Sequence, residues 1–160
     1  MESLIKNLIS CYKLQPHPEG GYFAEVYTAA DEKDNRPLAG SIYFLLNQED
    51  ISHFHSIDCE EIWYYHQGCG LSIKLINSSG QLVTKKLGVH AHLGEAPMVI
   101  IPKGSVFAAE NLDKEGYTLV SCVTIPKFLY TGFKLFTYAE FVSRFPQLRD
   151  VDKKYFIDNI

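Results

Sequence analysis

No stretch of this 160-residue chain is apolar for the roughly twenty residues that a bilayer-crossing helix requires; the longest runs lie near 41–46 and 98–101. A membrane is therefore not an expected partner. Basic runs are missing too. Fifteen Lys and Arg stand against nineteen Asp and Glu, a formal charge of -4, and a field of that sign repels phosphate backbones, so nucleic acid is not an expected partner either. The opening Met-Glu leads into no basic region followed by an apolar run, which makes the cytoplasm the expected location. The four cysteines, Cys11, Cys59, Cys69 and Cys122, form no CxxC pair. A domain of this size folds without disulfides, so free and mostly buried thiols are expected. Internal repeats, low-complexity segments and linkers are absent.

What is present is ordinary for a soluble globular domain: 46% apolar and 21% charged residues, with a generous 13% of aromatics. One domain over 1–160 is expected. Leu4, Ile5, Leu8, Ile9 and Tyr12 recur at helical spacing after a candidate Ser3 cap, predicting a short amphipathic N-terminal helix. From Tyr22 to Phe136 the texture changes to short β-branched and aromatic stretches divided by Gly, Pro, Asn and Asp. Strands are predicted near 22–28, 40–46, 53–55, 61–67, 71–77, 81–87, 98–101, 106–109, 117–124 and 133–136, with a hairpin turn at Ser78-Ser79-Gly80. Thr137 and Glu140 have capping-box spacing, and Tyr138, Phe141, Val142 and Phe145 form a stripe that ends at Pro146, so a helix closes the run. Many short strands without βαβ alternation point to an all-β sandwich or barrel with helices over its ends.

The residues that suggest chemistry begin with His53-Phe54-His55, followed by Glu61 and Gly68. Positions two apart on a strand share a face, so both imidazoles are expected to aim together, with Glu61 meeting them from the next strand. Two His and one carboxylate suit zinc or iron, and manganese or nickel also accept such a set; two histidines satisfied within a strand pair are the plainer reading. A second segment, Pro102-Lys103-Gly104-Ser105-Val106-Phe107, builds a tight turn into a strand and is followed by Asn111.

Together these segments resemble the two motifs of the cupin superfamily: HxH, a spacer, Glu, six residues and Gly, then PxG, two residues, His, three residues and Asn. Glu61 and Gly68 keep the six-residue interval, and Pro102, Gly104 and Asn111 fall in place. Two departures stand out. The spacer from His55 to Glu61 is five residues instead of three or four, and Phe107 occupies the position of the second-motif His, normally a metal ligand. His17-Pro18-Glu19-Gly20-Gly21-Tyr22-Phe23, Ser52 to His55 and Glu61-Ile62-Trp63 narrow the resemblance to a small single-domain cupin branch known as a domain of unknown function, over about Leu14 to Phe136. That branch tends to carry an aromatic at the Phe107 position. The resemblance implies a double-stranded β-helix, the jelly-roll barrel, with short N- and C-terminal helices, and a homodimer. Some members have been linked to epimerisation at the β-carbon of amino-acid-derived intermediates.

The expected protein is thus a dimeric cupin that takes a small carboxylated metabolite into its barrel and isomerises or epimerises it. A metal on His53, His55 and Glu61 would leave positions open for the ligand, and an oxygenase on the same ligands is a further option. Without metal, His55 or Glu61 moves the proton, with Tyr65 as the opposing phenol. The rival is a metal-free sensor that only binds its ligand. His53, Trp63, Phe107, Glu19 and Tyr22 are the expected pocket residues, although Trp63, Tyr65 and Phe107 equally suit barrel filling. The HPEGG segment is either a structural turn or a loop over the barrel mouth. His66 has the parity of an outward residue, and His90-Ala91-His92 reads as a solvated loop. Tyr12, Tyr27, Phe128 and Tyr130 are expected at the dimer interface.

Overall fold

The computed structural model of the chain describes residues 2–157, so residue 1 and residues 158–160 of the expected domain lie outside the described residues. The first helix, α1, runs Glu2–Cys11 and buries Ile5 and Leu8. Ser3 lies inside it and is not its cap. Nine principal strands follow: β1 (Tyr22–Thr28), β2 (Gly40–Asn47), β3 (Ile51–Ser56), β4 (Glu60–Gly68), β5 (Leu71–Ile76), β6 (Leu82–Leu87), β7 (Met98–Ile101), β8 (Phe107–Asn111) and β9 (Tyr117–Ile125). The Tyr22–Thr28 and Met98–Ile101 expectations coincide with observed strands, and the others differ from theirs by one or two residues at an end.

Two six-stranded sheets form the barrel. The first orders a two-residue bridge, Gln15–Pro16, then β1, β2, β9, β4 and β7; the second orders Glu95–Ala96, β6, β5, β8, β3 and Lys134–Leu135. All principal pairings are antiparallel, as expected when no helix provides parallel crossovers.

Strand alternation sorts the apolar residues into three layers. Phe44, Leu46, Trp63, Ile73, Phe107, Val120 and Cys122 come from both sheets and meet inside the barrel. Leu45 points the other way from β2 and, with Tyr117 and Leu119, is covered by Ile5 and Leu8 of α1. On the opposite flank, Phe54 and Ala108 face outward beneath Phe136, Phe141, Tyr155 and Phe156 of the C-terminal segment. That segment holds the second helix, α2 (Tyr138–Arg144), where Thr137 and Glu140 close the expected capping box in both directions. The helices therefore seal the outer faces of the sheets and leave the barrel mouth clear.

Candidate functional site

His17 to Gly21 form a strap laid across β3. The His17 N–H donates to the Gly21 carbonyl at 3.0 Å and the Gly20 N–H to the His17 carbonyl at 3.0 Å. Gly20 has φ +111°, and a Cβ there would lie 2.0 Å from the Ile51 carbonyl oxygen, so only glycine permits this approach. The strap is clamped by His53, whose backbone N–H and ring Nδ1 both donate to the Glu19 carbonyl, at 2.8 and 2.7 Å. The result is that Glu19 turns inward and is 7% exposed.

Only one of the two motif histidines reaches the cavity. Phe107 pairs with His55, but Ala109 pairs with Ser52 instead of His53. One extra residue of β3 is absorbed between them, and this bulge breaks the two-residue alternation. Ser52 takes the inward position beside Glu19, while His53 is spent on the strap and does not line the cavity.

The cavity has a volume of about 270 Å³. At its buried end are Glu19, His55, Glu61, Trp63, Cys122 and Phe44. Glu61 and Trp63 share a face of β4, and Cys122 pairs with Trp63 from β9. The mouth is formed by Lys127, Phe128, Leu129 and Tyr130. Phe128, Tyr130 and Phe133 pack edge to face with one another, and Tyr130 stacks on the His17 ring at 6.2 Å. Lys127 donates to Glu25 at 2.8 Å and to Thr28 at 2.7 Å.

The hydrogen bonds assign the protons around Glu19. Ser52 Oγ donates to Oε1 at 2.8 Å. His55 Nδ1 donates to the His53 carbonyl at 2.7 Å, which leaves Nε2 facing Glu19 Oε2 at 3.2 Å. His17 Nδ1 accepts from the Glu19 backbone N–H at 3.2 Å and lies 3.4 Å from the same Oε2. With both imidazoles neutral, neither nitrogen donates to Oε2 and the free lone pair of His55 Nε2 faces it, so Oε2 carries the proton. Burial favours this arrangement. It raises the Glu19 carboxyl above its usual range, against the opposing pull of His17 and the Ser52 bond. It lowers His55 and His17 as well, against the Glu61 and Glu19 charges respectively. Glu61 is pushed up to about 7, first by burial and then by the Glu19 charge, with Trp63, His55 and Cys122 pulling the other way. The Cys122 thiol is raised well above its ordinary value, chiefly by burial, so it is a neutral wall and not a nucleophile.

Among the described residues no three His, Cys, Asp or Glu side chains gather as a metal-binding group. His55 Nε2 faces a carboxyl proton, His53 is turned to the strap, and Phe107 stacks on His55 at 4.1 Å where a fourth ligand would stand. The expected set of His53, His55 and Glu61 thus does not fit a metal in this arrangement.

Of the other expected residues, Glu19, His55, Glu61 and Trp63 line the cavity. Tyr65 does not, because its hydroxyl donates to the Gly68 carbonyl at 2.7 Å. Tyr22 packs with the α1 layer, and Phe107 is core filling between His55 and Trp63. His66 sits in a bulge of β4 and faces outward, against Ser121 Oγ and the Tyr43 ring. His90 and His92 lie on an exposed turn. Phe128 and Tyr130, expected at a dimer interface, line the cavity mouth. Sequence reasoning missed His17, Cys122 and Lys127; the HPEGG spelling contained the signal for His17, but nothing local marks Cys122 or Lys127.

A jelly-roll barrel with one inward cavity, acidic at its closed end and aromatic at its mouth, is the class of protein these features define. The chain belongs to the Cupin superfamily (DUF985) family, whose model matches residues 6–136. It is 30% identical to the uncharacterized protein YML079W of Saccharomyces cerevisiae, over 79% of this chain and 72% of that one. Among solved structures, it superposes on protein SO0799 of Shewanella oneidensis with a TM-score of 0.88 at 34% identity, covering 94% of this chain and 96% of that one. A hypothetical protein of Leishmania major gives 0.87 at 31%, covering 94% and 97%. Oxalate decarboxylase of Bacillus subtilis shares the fold, with a TM-score of 0.60 at 17% identity over 88% of this chain and 38% of that one.

Proposed function

We propose that the protein binds a small carboxylated metabolite in the barrel cavity and isomerises or epimerises it by moving a proton at a carbon beside a carbonyl. The observation that carries this reading is the Glu19–His55 pair, 3.2 Å apart, sharing one proton beside a second buried carboxyl. A general acid–base site works best when its groups titrate near the working pH, and Glu61, at about 7, does so. Glu61 as carboxylate takes the proton from carbon, and the C–H electron pair moves into the carbonyl to give an enolate. The Glu19–His55 pair returns a proton to the other face, the electron pair re-forms the C–H bond, and solvent protons restore the starting state. Tyr130, not Tyr65, is the phenol at this cavity, and Lys127 at the mouth is the cation a ligand carboxylate would meet.

The test is a metabolite set of 2-oxo acids and their β-substituted amino acids, screened by thermal shift and then followed by NMR in deuterated water. Ligands that stabilise the protein are expected to exchange one carbon-bound hydrogen. Glu61→Gln and Glu19→Gln are each expected to slow that exchange at least a hundredfold while ligand still binds. Stabilising ligands that exchange no hydrogen would instead establish the binding-only reading.

A further inference from the structure

Trp63 is buried to 1% exposure and lines the cavity, yet its indole Nε1–H has no hydrogen-bond acceptor among the described residues. The Glu61 carboxyl lies near enough for the indole N–H to draw its pKa down, but the contact falls outside full hydrogen-bond geometry and leaves the donor without a settled acceptor. A buried donor left unpaired is costly, so such groups are normally satisfied or have a functional use. Cys122 and Phe44 beside it offer no strong acceptor.

The charge around the indole decides which acceptor suits it. Glu19 and Glu61 occupy the same closed end, and no Lys or Arg lines that end; Lys127 stands at the mouth. A ligand carboxylate placed against Trp63 would be a charge buried in a low-dielectric pocket beside Glu61, the catalytic carboxylate, without a compensating cation. An uncharged carbonyl oxygen meets no such penalty. Size adds a second limit. An apolar cavity of about 150 Å³ takes benzene, so one of about 270 Å³ takes a ring or branched body with a short polar arm, against Phe23, Phe44 and Phe128.

We infer that Trp63 is the recognition residue for an uncharged ligand oxygen: the substrate is an apolar-bodied ketone or related carbonyl compound whose oxygen accepts from Nε1–H. Any carboxylate it bears lies toward Lys127. This deepens the proposed function and rests on it, because the same N–H would then stabilise the oxygen on which negative charge develops when the neighbouring carbon loses its proton.

Trp63 is the only tryptophan in the chain, so its fluorescence and its single indole N–H resonance report on this atom alone. The probes are acetophenone and ethylbenzene, which share a ring and differ in the carbonyl, with benzoate as the charged comparison. Acetophenone is expected to bind at least tenfold more tightly than ethylbenzene and to move the indole proton downfield, while ethylbenzene leaves it near its free position. Benzoate is expected to leave it there too. Trp63→Phe keeps the ring and removes the donor, and is expected to cost acetophenone about tenfold and ethylbenzene less than twofold. Should that variant not fold, the resonance in the unaltered protein decides. Acetophenone binding that moves the indole proton no more than ethylbenzene does overturns the inference alone, as does benzoate shifting it downfield. If none of the three binds saturably, the cavity is not a ligand site for this class, and the inference falls together with the reading it rests on.

Discussion

Glu61 shows how one buried side chain couples chemistry to stability. Its pKa is raised from 4.5 to about 7, chiefly by burial. Below the lower value it is protonated folded and unfolded alike. Between the two, the unfolded chain releases the proton while the folded protein keeps it, so stability falls as pH rises through this window and levels off above about 7. At 1.36 kcal/mol per unit, the loss is about 3 kcal/mol. His55 and His17 act in the opposite sense, since their lowered pKa values cost stability as pH falls below 6.5. Glu61→Gln removes only the first effect. Urea unfolding from about pH 5 to about pH 8 should show the variant gaining roughly 3 kcal/mol on the natural protein; a gap that stays constant with pH would mean that Glu61 is already ionised in the folded state at pH 5.

At the scale of elements, the strap and the C-terminal cover make separate contributions. Gly20 is held by backbone strain and by the Ile51 carbonyl 2.0 Å from any Cβ, whereas Gly104, at φ +74°, has nothing within 4 Å. Gly104→Ala is therefore expected to cost only the left-handed penalty of about 1–2 kcal/mol. Gly20→Ala adds a steric clash and should cost about 3 kcal/mol or more, while also freeing Glu19 from Ser52 and His55. Equal melting-temperature losses for the two would show that the strap is not clamped as described. The C-terminal cover depends on Phe141, fully buried and packed against the Phe54 ring at 4.7 Å and edge to face with Phe156 at 5.0 Å. Phe141→Ala should lose about 3–5 kcal/mol, and ligand binding by the surviving folded fraction should be unchanged, because this layer lies behind β3 from the cavity.

For the whole molecule, the exposed apolar surface is what bears on the expected homodimer. Tyr12 packs on Tyr43 at 5.2 Å, and Phe128 and Tyr130 belong to the cavity mouth. Tyr27 is 55% exposed on β1, and a second exposed apolar group lies on the outer face of β4 and β7, where Met98 pairs with Tyr64 and Ile100 with Ile62. Met98, Ile100 and Tyr64 are 43%, 42% and 37% exposed, and β7 is the edge of its sheet. An apolar sheet edge of this kind invites pairing, and a second copy related by two-fold symmetry is the simplest cover. Light scattering is expected to give twice the 18.2 kDa chain mass, and Met98→Lys with Ile100→Glu to give one chain. A single-chain mass for the natural protein at micromolar concentration would dismiss the dimer.

Local pattern was enough for the strands, both helices and the cupin motifs, because each rests on residue alternation, spacing or capping within a few positions. Glu61 and Trp63 were placed inward correctly for that reason, and so was the outward His66. His53 is buried as expected but is held off the cavity by the Glu19 carbonyl of the strap, a partner that nothing in the sequence of β3 marks. Glu19 was legible only as one of two readings of HPEGG, and what decides between them is the approach of Gly20 to Ile51, thirty-one positions away. The proton between Glu19 and His55, the raised pKa of Glu61 and the unpaired Trp63 N–H all depend on burial by strands distant in the chain. Hydrogen-bond partners and desolvation are properties of assembled surroundings, so chain order determined the barrel and its motifs, while tertiary packing alone decided which of the motif residues face the ligand and in what protonation state.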